Sequence, residues 1–554
     1  MVMKNVIKNR IRGFLRLTAY ALLPLMGGWV GVSCSDEWND HYDAYSPAED
    51  SGSLWEAVSG EPQLSHFASV VKACGYDRIL SSNQTFTVFA PTNDTFSANQ
   101  AEALIDSYNQ QNAEGVRTNE NTVIRRFLQN HIAQYRYPVS SLTEKTISMM
   151  NNKYAQITTD KIGNRTFTSK NALSTNGLLF TIDGTIDYVP SVFESLNVEA
   201  HLDSVYRFLN SHSVYVFDET QSVPGEIIDG VTHYLDSVTV FNNDLLQKYG
   251  LINSEDSSYI MVAPVNDEWN RLVAEYEPYF NYANNVPYRD SLAYTNTRLA
   301  ILGGAFFSRT NNSDAALQDS AVSTQAYSQL MRQMLGIDEN YYVFKAPYAE
   351  GGIFDDTQTI VCSNGQMLKA SSFNIPKTMT FMQNVKVEAE NSQYQDTLIN
   401  AVEPVTVRQV ESNNPFYGQV SGNAFIEVVP STPSGKVIIG FQIPNLLSDV
   451  KYDIYAVFAP ATAADTLDVE GTTKEVKVIS RLRQTDQNGM MTTPSFRYPK
   501  TIDGTAVCEV KLLSGQKLTT CSYDLSTPNA RLEIQSNTEG ATLRIDRIIF
   551  KPVE

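Results

Sequence analysis

The chain has few of the side chains that metal sites and nucleophilic active sites require. It contains six histidines and five cysteines among 554 residues, with no histidine pair at metal-ligand spacing and no CxxC pair. It also lacks an HExxH sequence, a glycine-rich phosphate loop and a GxSxG turn. Carboxylates are abundant, but nothing in the sequence singles out a glycosidase pair. We therefore predict a protein that is not an enzyme.

Positive charge is also scarce. Lysine and arginine number 42 against 61 aspartates and glutamates, which gives a formal net charge of −19. Five of the basic residues lie in an N-terminal segment that has no acid, so removal of this segment leaves a net charge of −24: Lys4, Lys8, Arg10, Arg12 and Arg16. Such an acidic surface repels phosphates, which excludes nucleic acid as an expected partner.

The N-terminal segment has the organisation of an export signal. Its basic part is followed by a nearly uncharged stretch, residues 17–32, that is short for a stable membrane-spanning helix. The stretch ends at Gly31-Val32-Ser33-Cys34, which resembles a bacterial lipobox. The resemblance implies that residues 1–33 are a lipoprotein signal peptide and that Cys34 carries the lipid. An ordinary signal peptide or an uncleaved anchor is the alternative.

Residues 34–52 form a predicted flexible acidic tether. Directly after the cysteine come Ser35, Asp36 and Glu37. Acidic residues in this place resemble the surface-export signal of Bacteroidota lipoproteins, which implies an outer-membrane protein that faces the cell exterior. A solvated acidic tether without a signal function is the alternative.

Residues 53–196 carry a three-part pattern. A helical apolar periodicity leads to the string TFTVFAPTNDTF at residues 85–96, where alternation predicts a strand that Pro91 ends. Two further strings follow, VIRRFLQNHI at residues 123–132 and STNGLLFTID at residues 174–183. Together the three strings resemble the ordered blocks of fasciclin-like domains. The resemblance implies a compact α+β unit, a twisted β-wedge with packed helices. We expect His131 to be a core or turn histidine rather than a catalytic one.

The same order of blocks recurs over residues 197–376. The strand–Pro–Asn block is repeated by YIMVAPVNDEW at residues 259–269, and the Asn-Gly turn is repeated by CSNGQM at residues 362–367. The position of the second block is occupied by LAILGGAF at residues 299–306. The recurrence predicts a second fasciclin-like domain. Gly304 and Ala305 stand there in place of the Asn/His pair.

Residues 377–554 change character. Short alternating apolar runs are separated by turn residues, which predicts a β-sandwich. The strings VEAEN at residues 387–391, SGNAFI at residues 421–426 and LRIDRIIF at residues 543–550 resemble strands of galactose-binding-like jelly rolls, the fold of many carbohydrate-binding modules. The predicted fold class is therefore multi-domain, with two α+β fasciclin-like domains followed by an all-β jelly-roll sandwich.

The jelly-roll resemblance implies a calcium site. In the resembling modules, acidic residues of the first and last strands ligate Ca²⁺ through oxygen atoms. The matching positions are Glu388, Glu390 and Asp546. The sequence favours the plainer interpretation, in which these are solvent-facing acids at alternating strand positions.

Loops of the last domain also contain candidate glycan-binding residues. Exposed aromatic rings stack on sugar faces, and aromatics beside proline and glycine in polar surroundings are often exposed. Plugs that close one end of the sandwich are the alternative. The candidates are Phe416, Tyr417, Phe496 and Tyr498.

Four cysteines follow the tether. Cys74 and Cys362 lie in apolar surroundings and are predicted to be buried. Cys508 and Cys521 each lie six positions from a predicted hairpin turn at Ser514-Gly515, so a disulfide between them is geometrically possible. Two free thiols remain the alternative.

These features together suggest a binding protein. The favoured hypothesis is a non-catalytic surface lipoprotein that binds a polysaccharide, or scaffolds beside an outer-membrane importer. Its architecture resembles accessory lipoproteins of SusC/SusD-type uptake systems. A cell–cell or matrix adhesin that acts through the fasciclin-like domains is one alternative, and a structural spacer is another.

Overall fold

The computed structural model describes residues 52–553, except residues 119, 139–143, 218, 220–222, 229, 237–238 and 465–474. The chain divides into two compact units. The first contains the described residues up to Asn151 together with Ala155–Ile186. The second contains Asn152–Tyr154 and the described residues from Asp187 onward.

The predicted export features lie outside the described residues. They are the signal peptide of residues 1–33, the lipidation site Cys34 and the signal residues Ser35, Asp36 and Glu37. In the part of the chain that the structure describes, no helix is both long and apolar enough to cross a membrane.

The described residues of the first unit form a seven-stranded sheet and several helices. The sheet order is β2-β1-β7-β6-β5-β4-β3. The helices are α1 (Leu54–Gly60), α2 (Ser65–Ala73), α3 (Tyr76–Leu80), α4 (Ala98–Ala113), a 3₁₀ turn (Pro62–Leu64) and a π-helical turn (Ile124–Leu128). The strands are β1 (Phe86–Pro91), β2 (Ile132–Gln134), β3 (Lys145–Ser148), β4 (Tyr154–Ile157), β5 (Lys161–Ile162), β6 (Arg165–Ser174) and β7 (Gly177–Ile182).

The helical periodicity that precedes the first strand is divided between separate helices. Ser53 caps α1, because its Oγ accepts from the Glu56 N–H while a Glu56 carboxylate oxygen accepts from the Ser53 N–H. Pro62 then stands in the 3₁₀ turn that separates α1 from α2. Proline has no N–H for a continuous helical ladder, so the periodicity is kept but the helix is not.

Strands β1 and β7 form a central parallel pair that is buried on both faces. Val88 and Leu179 join one apolar cluster, which includes the helices. Phe89 and Phe180 point to the opposite face and join a second cluster. Because successive strand residues face opposite sides, the alternation in the sequence fills two cores at once.

The second unit begins with elements that repeat this arrangement and ends in two larger sheets. Its helices are α5 (Val192–Val198), α6 (Asp203–Asn210), α7 (Asp244–Tyr249), α8 (Asn266–Tyr276), α9 (Arg289–Leu302) and α10 (Gln329–Met334), with 3₁₀ turns at Glu277–Phe280, Ala316–Gln318, Lys377–Met379, Ser421–Asn423 and Ala461–Ala463. The strands before residue 377 are β8 (Ser213–Phe217), β9 (Val223–Ile228), β10 (Val231–Asp236), β11 (Thr239–Asn243), β12 (Tyr259–Pro264), β13 (Phe306–Ser308), β14 (Ser320–Val322), β15 (Val343–Lys345), β16 (Thr357–Cys362) and β17 (Gly365–Ala370).

The sheet β13-β12-β17-β16 has the same strand order as β2-β1-β7-β6 in the first unit. In both sheets the middle pair is parallel, with Phe86 opposite Gly177 in one and Tyr259 opposite Gly365 in the other. A Cβ on either glycine would lie within 2.2 Å of the carbonyl oxygen of its partner, so the close approach requires glycine.

The described residues after 377 form a two-sheet β structure. One sheet has the order β20-β21-β28-β23-β26, with β18 added on β28, and the other has the order β19-β22-β27-β24-β25. The two sheets contribute to one apolar cluster. The strands are β18 (Val385–Glu388), β19 (Gln395–Ile399), β20 (Thr406–Gln409), β21 (Ala424–Val428), β22 (Ile438–Ile443), β23 (Lys451–Phe458), β24 (Val476–Gln484), β25 (Lys500–Ile502), β26 (Cys508–Lys517), β27 (Ala530–Ser536) and β28 (Leu543–Val553).

The second unit is continuous across residue 377. The segment 279–284 runs against the β structure, where the Ser448 N–H donates to the Tyr279 carbonyl at 3.0 Å and the Cys521 N–H donates to the Asn281 carbonyl at 2.7 Å. Phe280 packs edge-on against Tyr523, with ring centroids 5.5 Å apart. The sequence boundary between residues 376 and 377 is therefore not a break in packing.

The predicted hairpin at Ser514-Gly515 is wrong. Both residues lie inside β26, which pairs with β23, and the side chain of Asp453 on that neighbour accepts from Ser514 and Gly515. Cys508 therefore begins a strand and Cys521 follows its end. Of the two alternatives for this pair, the disulfide is not formed, and both are free cysteines. Cys74 and Cys362 are free and buried, as predicted.

Candidate functional site

His131 is a core residue of the first unit. Its side chain is fully buried, with Nδ1 2.8 Å from the Phe127 carbonyl oxygen and Nε2 2.8 Å from the Ile186 N. Nε2 accepts from the Ile186 N–H, so Nδ1 carries the proton and donates to Phe127. Burial lowers the pKa of His131 to about 4. A neutral imidazole that joins two backbone segments has a structural role, as the sequence predicts.

The three predicted calcium ligands come together at one end of the β structure. Ser421 joins two of them, since its Oγ donates to Glu388 at 3.0 Å and its N–H donates to Asp546 at 3.1 Å. Glu390 Oε1 lies 3.9 Å from the position that a Cβ on Gly422 would occupy. Strand β28 positions Asp546 and strand β18 positions Glu388, because these two strands are paired.

The favoured interpretation of these acids as solvent-facing is wrong for Asp546, which is fully buried. Burial, and then the nearby charges of Glu388 and Glu390, raises its pKa to about 7, although Ser421 and Arg547 oppose the shift. Burial also raises the pKa of Glu388 and of Glu390. The burial follows from chain pairing that alternation alone does not reveal.

One oxygen of each of the three carboxylates is buried and lacks a hydrogen-bond partner: Glu388 Oε2, Glu390 Oε2 and Asp546 Oδ2. Arg547 Nε lies 3.9 Å from Asp546 Oδ2, which is an ion-pair distance but too long for a hydrogen bond. Buried carboxylate oxygens without donors need a proton or a cation. Such a donor set suits a hard cation. In the described part of the chain, no three histidine, cysteine, aspartate or glutamate side chains already stand as a metal site, so these oxygens would have to close around an ion.

The four aromatic candidates lie at two separate places. Phe416 packs on a small apolar cluster with Val420 and Phe425, at the end of the sheet that contains β21. Its neighbour Tyr417 is half exposed. Phe496 and Tyr498 instead lie beside β24, which belongs to the other sheet. The structure thus gives two candidate surfaces rather than one.

A cleft of about 340 Å³ lies under the chain segment that contains Phe496, although neither Phe496 nor Tyr498 is among its lining residues. It is formed where β24 approaches β26, under the segment that returns from residue 492 to residue 497. The lining residues are Arg481, Leu482, Gln484, Thr492, Thr493, Pro494, Ser495, Arg497, Leu513 and Gln516. Tyr498 directly follows this segment and is 87% exposed.

The loop that covers the cleft is fixed at both ends. On the strand side, the Thr492 N–H donates to the Gln484 carbonyl and the Arg497 N–H donates to the Ser480 carbonyl, each at 2.8 Å. At the tip, the Asn284 N–H donates to the Gln487 carbonyl at 2.8 Å. These bonds define the cleft wall by backbone contacts.

The charges beside the cleft are arranged on β24 and β27. Arg481 donates to Glu533 through Nε at 2.7 Å, and Arg483 donates to the other oxygen of Glu533 at 3.0 Å. The guanidinium of Arg481 lies 4.4 Å from the centroid of the Phe496 ring. This stacking holds Phe496 half-buried and orients the segment that carries Arg497 and Tyr498.

Sequence reasoning identified the aromatics but missed the polar residues that line the cleft. The alternation of Arg481 and Arg483 along β24 is a signal that both lie on one strand face. Gln516 could not be found, because the predicted turn at Ser514-Gly515 placed it on the wrong element.

Comparison with known proteins supports part of these expectations. Residues 62–188 match the fasciclin domain family, which confirms the resemblance of the first segment. None of the curated proteins compared matches the chain.

Two solved structures have limited similarity to the chain. One is the FAS1 domain pair of the insect cell adhesion molecule Fasciclin I, at 12% identity and a TM-score of 0.19, covering 57% of this chain and 97% of that chain. The other is the CBM22-1 xylan-binding domain of Xyn10C from Paenibacillus barcinonensis, at 12% identity and a TM-score of 0.21, covering 31% and 94%.

Proposed function

We propose that this chain is a non-catalytic surface lipoprotein of the outer membrane that binds glycan through its last two sheets. In this proposal Cys34 carries the lipid, residues 34–52 are the tether, and the bound polysaccharide is presented beside a SusC/SusD-type uptake system. The observation that carries the glycan assignment is a cleft lined by hydroxyl and amide side chains, together with a largely exposed tyrosine, Tyr498, that directly follows the lining residue Arg497 in the chain. In this proposal the polar groups of the cleft bind the sugar hydroxyls, and the exposed ring of Tyr498 stacks on a sugar face.

We also propose that residues 197–376 are a second fasciclin-like domain and that residues 377–554 are a jelly-roll sandwich. The support for the second domain is the shared strand order and one repeated side-chain arrangement. Buried Asn176 accepts from the N–H of Leu54, the first residue of α1, and buried Asn364 accepts from the N–H of Val192, the first residue of α5, each at 2.8 Å.

The structural cation implied by the jelly-roll resemblance is part of this proposal. Glu388, Glu390 and Asp546 would hold Ca²⁺, and the ion would neutralise three carboxylates whose free oxygens are buried. The bound ion would stabilise the end of the β structure where β18 pairs with β28.

The glycan proposal is tested with the mature full chain by affinity electrophoresis on a panel of polysaccharides. We expect retention on at least one glycan and a loss of roughly tenfold in affinity for Tyr498→Ala, because covering part of an aromatic ring is worth about 1–2 kcal/mol. Tyr417→Ala, which changes a half-exposed tyrosine in the loop between β20 and β21, is the matched comparison and should leave binding intact. Retention on no glycan would remove the proposal, and sensitivity to Tyr417 alone would move the site to the other surface.

Adhesion is a second candidate function, favoured by an apolar strand face in the second unit. Among the described strands, β8 and β11 form a two-stranded sheet that pairs with no other strand. One face of this sheet carries three exposed valines: Val214 (54%), Val216 (50%) and Val240 (39%). Exposed apolar faces mark contact sites for other proteins. Adhesion predicts that cells that display the wild-type chain clump. The clumping should be lost in Val214→Thr/Val216→Thr and kept in Val407→Thr, a control that changes another exposed valine.

A further inference from the structure

The cleft under residues 492–497 has a charge opposite to that of the chain. The whole chain carries −19, yet the residues that line this cleft include Arg481 and Arg497 and no aspartate or glutamate. A cleft of one charge sign concentrates ligands of the other sign, since low-dielectric walls focus the field.

The two arginines differ in what they already bind. Arg481 is held by Glu533 and by the ring of Phe496, so its guanidinium is largely used within the protein. Arg497 is exposed, and no described carboxylate lies within ion-pair distance of it. Its backbone is fixed by the bond from its N–H to the Ser480 carbonyl. Arg497 is therefore a positioned cation without an internal counter-ion.

The other polar groups of the lining suit hydroxylated ligands. Thr493 and Ser495 contribute hydroxyls from the loop, and the Thr492 hydroxyl donates to the Gln484 carbonyl, which leaves its lone pairs to accept. The Gln516 amide donates to the Ser514 carbonyl, which leaves its oxygen free to accept. A planar guanidinium beside these groups can bind a carboxylate or a sulfate in a bidentate manner.

We propose that this cleft selects an anionic saccharide, with the carboxylate or sulfate of the sugar against Arg497 and the ring of Tyr498 available for stacking. The inference rests on the proposed glycan function and adds the class of sugar. A uronate and a sulfated sugar present the same chemistry to Arg497, so the test must separate them.

The test compares matched polymers on the mature full chain by isothermal titration calorimetry. The pairs are polygalacturonate with its methyl ester, and dextran sulfate with dextran. We expect at least one anionic polymer to bind about tenfold more tightly than its neutral partner, as one charge-assisted hydrogen-bond pair allows. The preferred pair identifies the carboxylate or the sulfate. The preference should weaken as salt is raised.

Variants assign the preference to the residue. Arg497→Gln should abolish the difference within the preferred pair, Arg497→Lys should retain part of it, and Arg207→Gln, which removes the same charge from an exposed helix position, should leave it unchanged. Equal affinity within both pairs, or a preference that survives in Arg497→Gln, would overturn the inference. In either case, Tyr498-dependent binding of a neutral glycan would leave the proposed function standing, whereas retention on no polymer would remove both.

Discussion

Asp546 and His131 are buried ionisable residues whose pKa values are displaced in opposite directions from their ordinary values. Burial disfavours the charged form of each, which raises the pKa of the carboxyl and lowers the pKa of the imidazole. Each displacement couples folding to pH, but with opposite sign. The two residues lie in different compact units, so their effects can be measured separately.

Asp546 should make the second unit less stable as the pH rises. Its pKa is about 7 when folded and 3.8 ordinarily, so the stabilising protonated form is complete below about pH 4 and is lost as the pH rises through 7. The loss amounts to about 4 kcal/mol at most. We expect thermal unfolding in EDTA to show this decline and millimolar Ca²⁺ to reverse it at pH 8.

Asp546→Asn is the informative variant for that measurement. It should flatten the decline and remove the response to Ca²⁺, whereas the exposed control Glu539→Gln should change neither. A decline that persists in Asp546→Asn would show that another group controls it. A wild-type chain whose unfolding temperature ignores Ca²⁺ would contradict the cation site.

His131 should make the first unit less stable in acid. Its folded pKa of about 4 lies below the ordinary 6.5, so stability is complete above about pH 6.5 and is lost as the pH falls through 4. The cost is about 3 kcal/mol at most. Chemical denaturation between pH 7 and pH 4 should show the loss. His131→Gln should be less stable at pH 7 but less sensitive to pH, while His66→Gln should keep the wild-type dependence.

At the scale of elements, two buried asparagines attach a helix to the turn before a central strand. Asn176 attaches α1 to the turn before β7, and Asn364 attaches α5 to the turn before β17. Asn364 accepts from Val192 and donates to the carbonyls of Ile252 and Ser254, and Asn176 makes the corresponding three bonds with Leu54, Leu80 and Ser82. Each side chain satisfies three backbone groups, two in buried contacts and one in a part-buried contact.

Removing either asparagine should therefore be costly. Unpaired buried groups cost about 1–3 kcal/mol each, so Asn364→Ala should lower the free energy of unfolding of the second unit by roughly 3 kcal/mol or more. Asn176→Ala should do the same to the first unit. Urea denaturation measures both, with Asn99→Ala on the exposed face of α4 as the neutral control. A loss below 1 kcal/mol would show that these contacts are not important for stability.

The sequence predicted those elements whose signal is local. The sequence predicts the strand end at Pro91 because proline fixes φ and removes an N–H donor at a single position. It predicts the Asn-Gly turn at residues 176–177 because glycine adopts backbone conformations that other residues avoid. The strand after Cys508 was mistaken for a hairpin, because Ser514-Gly515 is a good turn dipeptide that pairing with β23 overrides. The cleft was missed, since its walls come from β24, β26 and a loop that only the folded chain brings together.

At the scale of the molecule, the two units should unfold separately, and residues 187–553 should unfold as one. The segment 279–284 shares hydrogen bonds and ring contacts with the two sheets, so neither part of the second unit has a complete core without the other. Calorimetry of the full chain should show two transitions. A third transition would contradict the shared core.

Tyr282 provides a variant for the same experiment. Its hydroxyl donates to the Tyr523 carbonyl at 2.9 Å and accepts from Asn296 at 2.8 Å, across the two parts of the second unit. Tyr282→Phe should lower the second transition as a whole without splitting it. Tyr76→Phe, which removes a hydroxyl bound by Gln129 in the first unit, should move only the other transition.

The backbone bonds at residues 487, 492 and 497 have a consequence for the thermodynamics of association. Because these hydrogen bonds already fix the loop, it does not need to become ordered when a polysaccharide binds. Little conformational entropy of the protein is therefore lost on binding. The conformational entropy that is lost on binding should then come mainly from the glycosidic torsions of the polysaccharide. Stiff polysaccharide chains should accordingly be favoured over flexible ones of the same composition.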